Sequence, residues 1–297
     1  MKPLILPLPG NVDRAGSLAG RLDAELGKIT VRRFPDMESY LRIDTPVDGR
    51  AVALFCTLDR PDEKIPPLIF LAAAAKDLGA ARVGLIAPYL AYMRQDRRFQ
   101  PGEGISSVYF ARLLSGFVDW LVTVDPHLHR RRSLNEIYSI PTIVVHAAPL
   151  ISEWIRANIQ SPVLIGPDAE SAQWVSEVAK GAEAPYLVLD KIRRGDHEVD
   201  VSIPEVERWR KHTPVLVDDI IATARTLIET IGHLRRAGLP PAVCIGIHAI
   251  FADRAYDDLR KSGAARVVTC NTIPHVTNAV DVTDLLAEGV RERLESR

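Results

Sequence analysis

Residues Val215-Leu-Val-Asp-Asp-Ile-Ile-Ala-Thr-Ala-Arg-Thr226 set two adjacent carboxylates behind an apolar run, then small residues and two hydroxyls, then a helical pattern. Ligands of open α/β sheets bind at the C-terminal ends of the strands. A strand that delivers Asp218 and Asp219 to that edge and runs through Ala222, Thr223, Ala224, Arg225 and Thr226 into a helix offers loop amides and a helix dipole to a phosphate. The threonines add hydroxyls, and the aspartates accept hydrogen bonds from sugar diols or hold a metal. A surface loop with an N-capping threonine is the plain alternative for the same string.

Two basic segments carry donors suited to a polyphosphate. Arg94-Gln95-Asp96-Arg97-Arg98 packs three guanidinium groups, each able to bind phosphate oxygens in bidentate fashion, although a solvated charge run is the default for such a string. In Lys191-Ile-Arg193-Arg194, the Lys and Arg at i, i+2 of an extended segment point the same way and can close over a transferring diphosphoryl group. The polar stretch that follows, to Val201, reads as a hairpin or flap. Asp125-Pro-His127-Leu-His129 ends a strand in two imidazoles on one face, which could hold a divalent ion, zinc included, or form a plain surface cluster. Phe34 with Asp36 and Glu38, just after Ile29–Arg33, could stack an adenine and accept its exocyclic amine.

These residues need a scaffold that gathers distant strand ends at one edge. Strand candidates are Ala51–Phe55, Arg82–Ile86, Trp120–Val124, Thr142–Val145, Val163–Ile165, Tyr186–Leu189, Val215–Val217, Val243–Ile247 and Arg266–Cys270. Amphipathic helices alternate with them over Ala15–Leu26, Pro67–Leu78, Ser106–Leu114, Leu150–Asn158, Ser171–Lys180, Thr226–Ala237 and Tyr256–Lys261. That rhythm predicts an α/β fold with mainly parallel sheets, and the strand count suffices for two. A boundary near Ala147–Leu150 gives domains 1–148 and 149–297, with the helical tail after Val282 able to pack back on the first.

Composition excludes several function classes. Lys and Arg total 37 against 38 Asp and Glu in 297 residues, without the basic excess of a nucleic-acid or anionic-membrane binder. The longest apolar run, Ile65 to Ala75, contains two prolines and stops well short of the ~20 residues that span a bilayer. Cys56, Cys244 and Cys270 are few, odd in number and far apart, which suits a reducing cytoplasm, and the proline-broken N-terminus argues against secretion. Neither GxxxxGK[ST] nor GxGxxG is present, so P-loop and protein-kinase routes to a nucleotide are disfavoured.

The Asp218–Thr226 stretch resembles the phosphoribosyl-diphosphate-binding loop of type I phosphoribosyltransferases and of ribose-phosphate pyrophosphokinases, which are two tandem copies of that fold. Further segments resemble the second family in its own order: Arg33-Phe-Pro-Asp-Met-Glu-Ser-Tyr, Pro88-Tyr-Leu-Ala-Tyr-Met-Arg-Gln-Asp-Arg-Arg, Thr123-Val-Asp-Pro-His, Gly166-Pro-Asp168, Leu189-Asp-Lys-Ile-Arg-Arg and Thr269-Cys-Asn-Thr-Ile-Pro. The Lys-Ile-Arg form and the segment Gly166-Pro-Asp-Ala-Glu-Ser resemble its archaeal-type branch.

The resemblance implies two tandem phosphoribosyltransferase-like domains and Mg²⁺-dependent transfer of the diphosphoryl group of ATP to the C1 hydroxyl of ribose 5-phosphate, forming phosphoribosyl diphosphate and AMP. It implies ATP contacts at Phe34, Asp36, Glu38, Arg94, Gln95, Asp96 and His127, with the Phe34 loop reaching a neighbouring subunit's site, hence a homodimer or higher homo-oligomer. His127 and Asp168 would lie by the metal, Asp218 and Asp219 would hold the ribose hydroxyls, and residues 222–226 the 5-phosphate. Lys191 and Arg193 would stabilise the transition state. Arg225 and Ala222 depart from the usual loop pattern, and His129 and His248 carry no assigned role. The rival reading is a non-catalytic regulatory paralogue that binds nucleotide and a catalytic partner; retention of Lys191, Arg193, His127, Asp168, Asp218 and Asp219 argues for the enzyme. A phosphoribosyltransferase acting on a base would leave the N-terminal half unexplained.

Overall fold

A computed structural model describes residues 2–167, 171–194, 198–202 and 206–295. By packing, the chain divides after His146, and the segment from Thr283 onward joins the first unit rather than the second.

The first unit runs β1 (Leu4–Pro7), α1 (Val12–Leu22), β2 (Glu25–Leu26), β3 (Ile29–Arg33), β4 (Ser39–Ile43), β5 (Ala51–Phe55), α2 (Pro61–Asp77), β6 (Arg82–Ala87), α3 (Ser106–Ser115), β7 (Trp120–Val124) and β8 (Thr142–Val145). Its six-stranded sheet has the order β2-β1-β5-β6-β7-β8, every pair parallel. Strands covered on both faces read as continuous apolar runs, and β7 is buried at all five positions. Gly84 of β6 lies opposite Trp120 of β7, where a Cβ would sit 1.9 Å from the indole, so only glycine lets the two strands pack there.

The second unit runs α4 (Ala148–Asn158), β9 (Pro162–Gly166), α5 (Ala172–Ala182), β10 (Tyr186–Val188), β11 (Asp190–Arg194), β12 (Glu198–Ser202), α6 (Val206–Trp209), β13 (Thr213–Ile221), α7 (Arg225–Arg236), β14 (Val243–Ala249), α8 (Ala255–Lys261), β15 (Arg266–Cys270) and β16 (Asn278–Val280). Its sheet has the order β10-β9-β13-β14-β15-β16, again all parallel. Numbered within its own sheet, each unit has strand order 2-1-3-4-5-6, and each inserts one antiparallel hairpin between its second and third strands: β3–β4 in the first, β11–β12 in the second. The two halves thus share one topology, as the tandem expectation required.

The last helix, α9 (Thr283–Glu295), packs on α1, β7 and β8 of the first unit. At Gly289 a Cβ would lie 3.1 Å from the side chains of Ile143 and Val145, and Arg21 bonds the Asp284 carboxylate while Arg291 donates to the Arg21 carbonyl at 2.7 Å.

Several element bounds differ from the sequence expectation. Helix α1 stops at Leu22 because Asp23 takes a left-handed conformation (φ 49°), and Glu25–Leu26 pairs with β1 instead of extending the helix to Leu26. Helix α2 begins at Pro61, six residues before the expected Pro67; Pro66 and Pro67 lie inside it, and only the early carbonyls of Asp62 and Glu63 lose their helical donors. Strand β1, which its flanking prolines hid, sits between β2 and β5. Among the described residues no helix is long and apolar enough to cross a membrane.

Candidate functional site

In the second unit β13 does not stop before its carboxylates. It pairs with β14 through Asp218 and on to Ile221, so Asp218 and Asp219 belong to the strand's last turn of pleat rather than to the loop. Neighbouring strand residues face opposite sides of a sheet, so the two half-buried aspartates address different faces. The loop of Ala222, Thr223 and Ala224 then enters α7, whose carbonyl-to-amide ladder begins with the Ala224 oxygen accepting from Ile228 N–H at 2.9 Å.

Ala224 stands in the left-handed region at φ 56°, which turns the chain sharply so that the helix N-terminus faces back to the strand edge. Small residues are required because Ala222 and Ala224 are buried, while Thr223 and Arg225 are exposed and Thr226 is half-buried. The anchor beneath is α7 itself: Leu227, Ile231 and Leu234 share one buried face, each worth about 1.5–3 kcal/mol of burial, and its last turn carries His233, Arg235 and Arg236 against the negative helix end. His248 on β14 is buried, with Nδ1 2.9 Å from Thr272 Oγ1. The Thr272 hydroxyl donates to the Ile247 carbonyl, so the imidazole Nδ1–H is the donor to Thr272.

Lys191 and Arg193 lie on β11 of an antiparallel hairpin, in register with Val201 and Val199 of β12. Asp168 lies outside the described residues.

In the first unit, the β3–β4 hairpin closes through Phe34 N–H to the Glu38 carbonyl (2.8 Å) and Met37 N–H to the Phe34 carbonyl (2.9 Å). The Asp36 carboxylate accepts from Glu38 N–H at 3.2 Å, so it shapes the turn; Phe34, Asp36 and Glu38 are all exposed at its tip. The Arg32 guanidinium stacks 4.7 Å from the Phe34 ring and 4.1 Å from the Tyr40 ring.

The loops after β6, β7 and β8 meet at the C-terminal edge of this sheet. Gln95 is tied to the start of α3, its Oε1 accepting from the Ser106 hydroxyl at 2.6 Å, while Arg94 beside it is exposed. Tyr92, at φ 60°, bonds the Asp62 carboxylate, and burial with that contact pushes its phenol up to about 12. His127 and His129 stack nearly edge to face at 4.0 Å between ring centroids. Two pairs were invisible in the sequence: Asp125 Oδ1 lies 2.7 Å from His146 Nδ1, and the buried Asp96 carboxylate binds Arg130 at 3.3 Å. Their partners sit in different βα loops, so no local spacing announces them.

Among the described residues of the first unit, the donors at this loop are the His127 and His129 imidazoles and the Asp125 carboxylate already held by His146, a set poorer in oxygen than Mg²⁺ prefers. That set fits an ion which arrives with most of its oxygen ligands on a polyphosphate.

Comparison with known proteins agrees with this layout. The sequence profile of the phosphoribosyl transferase domain matches residues 133–285, and that of the N-terminal domain of ribose phosphate pyrophosphokinase matches residues 4–117. The ribose-phosphate pyrophosphokinase of Methanopyrus kandleri is 34% identical over 97% of this chain and 98% of its own, and that of Methanothermobacter thermautotrophicus is 31% identical over 94% and 96%. In fold, the chain resembles the crystal structure of phosphoribosylpyrophosphate synthetase from Mycobacterium smegmatis, with a TM-score of 0.88 over 99% of both chains at 24% identity. Matching profiles over both halves and relatives matched end to end lead to one assignment: the chain belongs to the ribose-phosphate pyrophosphokinase family.

Proposed function

We propose that the chain transfers the β,γ-diphosphoryl group of ATP to ribose 5-phosphate. The C1 hydroxyl oxygen bonds to the β-phosphorus, the bond from that phosphorus to the bridging oxygen of AMP breaks, and the hydroxyl proton passes to solvent. The observation that carries this reading is the passage from aspartate-bearing β13 through left-handed Ala224 into α7, a sugar-phosphate cradle with its diol acceptors one strand turn away.

Asp218 and Asp219 accept from the ribose hydroxyls, and the amides of residues 222–226 with Thr223 and Thr226 hold the 5-phosphate. Phe34 stacks on the adenine, Glu38 accepts its amine with Asp36 shaping the turn, and Arg94, Gln95 and His127 engage the rest of ATP. Lys191 and Arg193 neutralise charge on the diphosphoryl group in flight, where positioning and electrostatics supply most of the rate. His127 and Asp168 would hold Mg²⁺, which supplies charge neutralisation to the polyphosphate when bound. A hairpin tip shared with a neighbouring subunit makes the active form a homodimer or larger homo-oligomer, acting in a reducing cytoplasm.

Incubation with ATP, Mg²⁺ and ribose 5-phosphate tests the reaction, the expected nucleotide product being AMP. Appearance of ADP instead overturns it, and nucleotide binding without turnover turns the assignment toward the regulatory paralogue.

A further inference from the structure

We propose that Phe251 is a positioning residue for the sugar phosphate, its ring clasped by Tyr256 and His275 so that its backbone orients the loop after β13; this rests on the ribose 5-phosphate reading above and extends it to a residue outside the loop itself.

Phe251 follows β14 and stands at φ 40°, in a left-handed conformation that a bulky side chain rarely adopts. Strain of that kind persists only where the surroundings over-determine it. Two neighbouring rings do so here. The Phe251 ring lies 4.5 Å from that of His275, tilted by 33°, and 5.4 Å from that of Tyr256 at 61°, while Tyr256 meets His275 nearly edge to face at 4.9 Å. The three rings come from three segments: the loop after β14, helix α8, and the link between β15 and β16. Phe251 also packs against the buried core that includes Leu227 and Ile231 of α7.

His275 is the fixed jaw of this clasp. Its backbone N–H donates to Asn278 Oδ1 at 3.0 Å, and its Nδ1 accepts from Thr277 N–H at 3.3 Å. Asn278 Nδ2 in turn donates to the Cys270 carbonyl at 2.9 Å, which pins the link to the end of β15.

What the clasp holds is a pair of donors. Phe251 N–H bonds the Ile221 carbonyl at 2.9 Å, and Ala252 N–H bonds the Ala222 carbonyl at 3.0 Å. In a planar trans peptide the C=O and the following N–H point to opposite sides. Drawing the Ala222 carbonyl toward the loop after β14 therefore turns the Thr223 N–H away from that loop, at an exposed residue. An amide set in place before the ligand arrives needs little reorganisation to receive a phosphate oxygen.

The test is the ratio of ribose 5-phosphate to ATP affinity, measured by calorimetry on the full chain, beside steady-state kinetics read as AMP. Phe251→Ala should weaken ribose 5-phosphate about tenfold or more and raise its KM alike, with ATP held within about twofold, because the braced loop serves the sugar phosphate alone. Phe251→Tyr keeps the ring and should restore binding. Phe251→Gly suits the left-handed backbone but lacks the ring, and should bind as weakly as the Ala variant. Should Phe251→Ala fail to fold, Tyr256→Ala on the other side of the ring should move the same ratio several-fold in the same direction. Equal losses for both ligands, an unmoved ratio, or a Gly variant that binds like the wild type overturns the role. A wild type that binds ribose 5-phosphate without forming AMP overturns the reaction alone, and the affinity ratio still decides Phe251.

Discussion

Ala252 donates its backbone N–H to the carbonyl of Ala222 at 3.0 Å, and Phe251 N–H bonds the Ile221 carbonyl at 2.9 Å, so the loop after β14 braces the loop after β13. The brace is itself tightly turned, with Phe251 at φ 40° and Asp253 at φ 52°. A loop proposed to bind a sugar phosphate must hold its amides in place before the ligand arrives, and these two hydrogen bonds from the second loop supply such a brace.

Ala224 is the residue most constrained by that arrangement. Ala224→Gly removes the left-handed strain but loosens the unfolded chain, and should leave stability within about 1 kcal/mol of the wild type. Ala224→Val, β-branched, left-handed and buried, should cost about 2 kcal/mol or more and raise KM for ribose 5-phosphate. Urea unfolding midpoints decide between them; a Val variant as stable as the wild type contradicts the geometry.

Lys191→Ala should lower kcat by about a hundredfold or more while KM for both substrates moves only a few-fold, the pattern of a contact made chiefly in the transition state. Steady-state kinetics with an AMP readout measures it, and near-normal kcat removes Lys191 from the mechanism.

Burial pushes the thiols of Cys56 and Cys244 up to about 12, and Cys270 is wholly buried. Thiol reagents at pH 8 should therefore leave the folded protein unlabelled and modify all three cysteines once it is unfolded in urea. Rapid labelling of the native protein would show a loop opening that the packing does not predict.

His275 is desolvated beside Phe251 and Tyr256, at 4.5 and 4.9 Å between ring centroids, and its pKa lies below the usual 6.5. The unfolded chain then binds the proton more readily than the folded one, so stability is full above 6.5 and falls as pH drops from there toward the folded value. His275→Gln should flatten that part of the stability profile, seen as urea midpoints between pH 5 and pH 7 that no longer separate from each other. A profile unchanged by the substitution assigns the acid sensitivity elsewhere.

The strand–loop–helix form of the candidate sugar-phosphate loop was legible in the chain because everything that makes it is local: apolar strand, paired carboxylates, small residues and the start of the helix follow one another within twelve residues from Val215 to Thr226. The hairpin of Lys191 and Arg193 was legible for the same reason. Strand β1 was not, since Pro3, Pro7 and Pro9 read as breaks while its pairing with β5 and β2 is a long-range matter. Nor did the aspartates betray that β13 runs on beyond them, because that depends on β14 offering its edge as far as Ala249.

Local pattern by itself determined the α/β class and the two-unit count, and it marked the candidate residues for sugar, phosphate and base, since periodicity and residue chemistry are properties of short segments. Tertiary structure alone decided which distant groups meet: Asp96 with Arg130 across 34 positions and Asp125 with His146 across 21. The order of strands in a parallel sheet brings those loops side by side, and that order follows from packing the whole unit rather than from any one stretch of it.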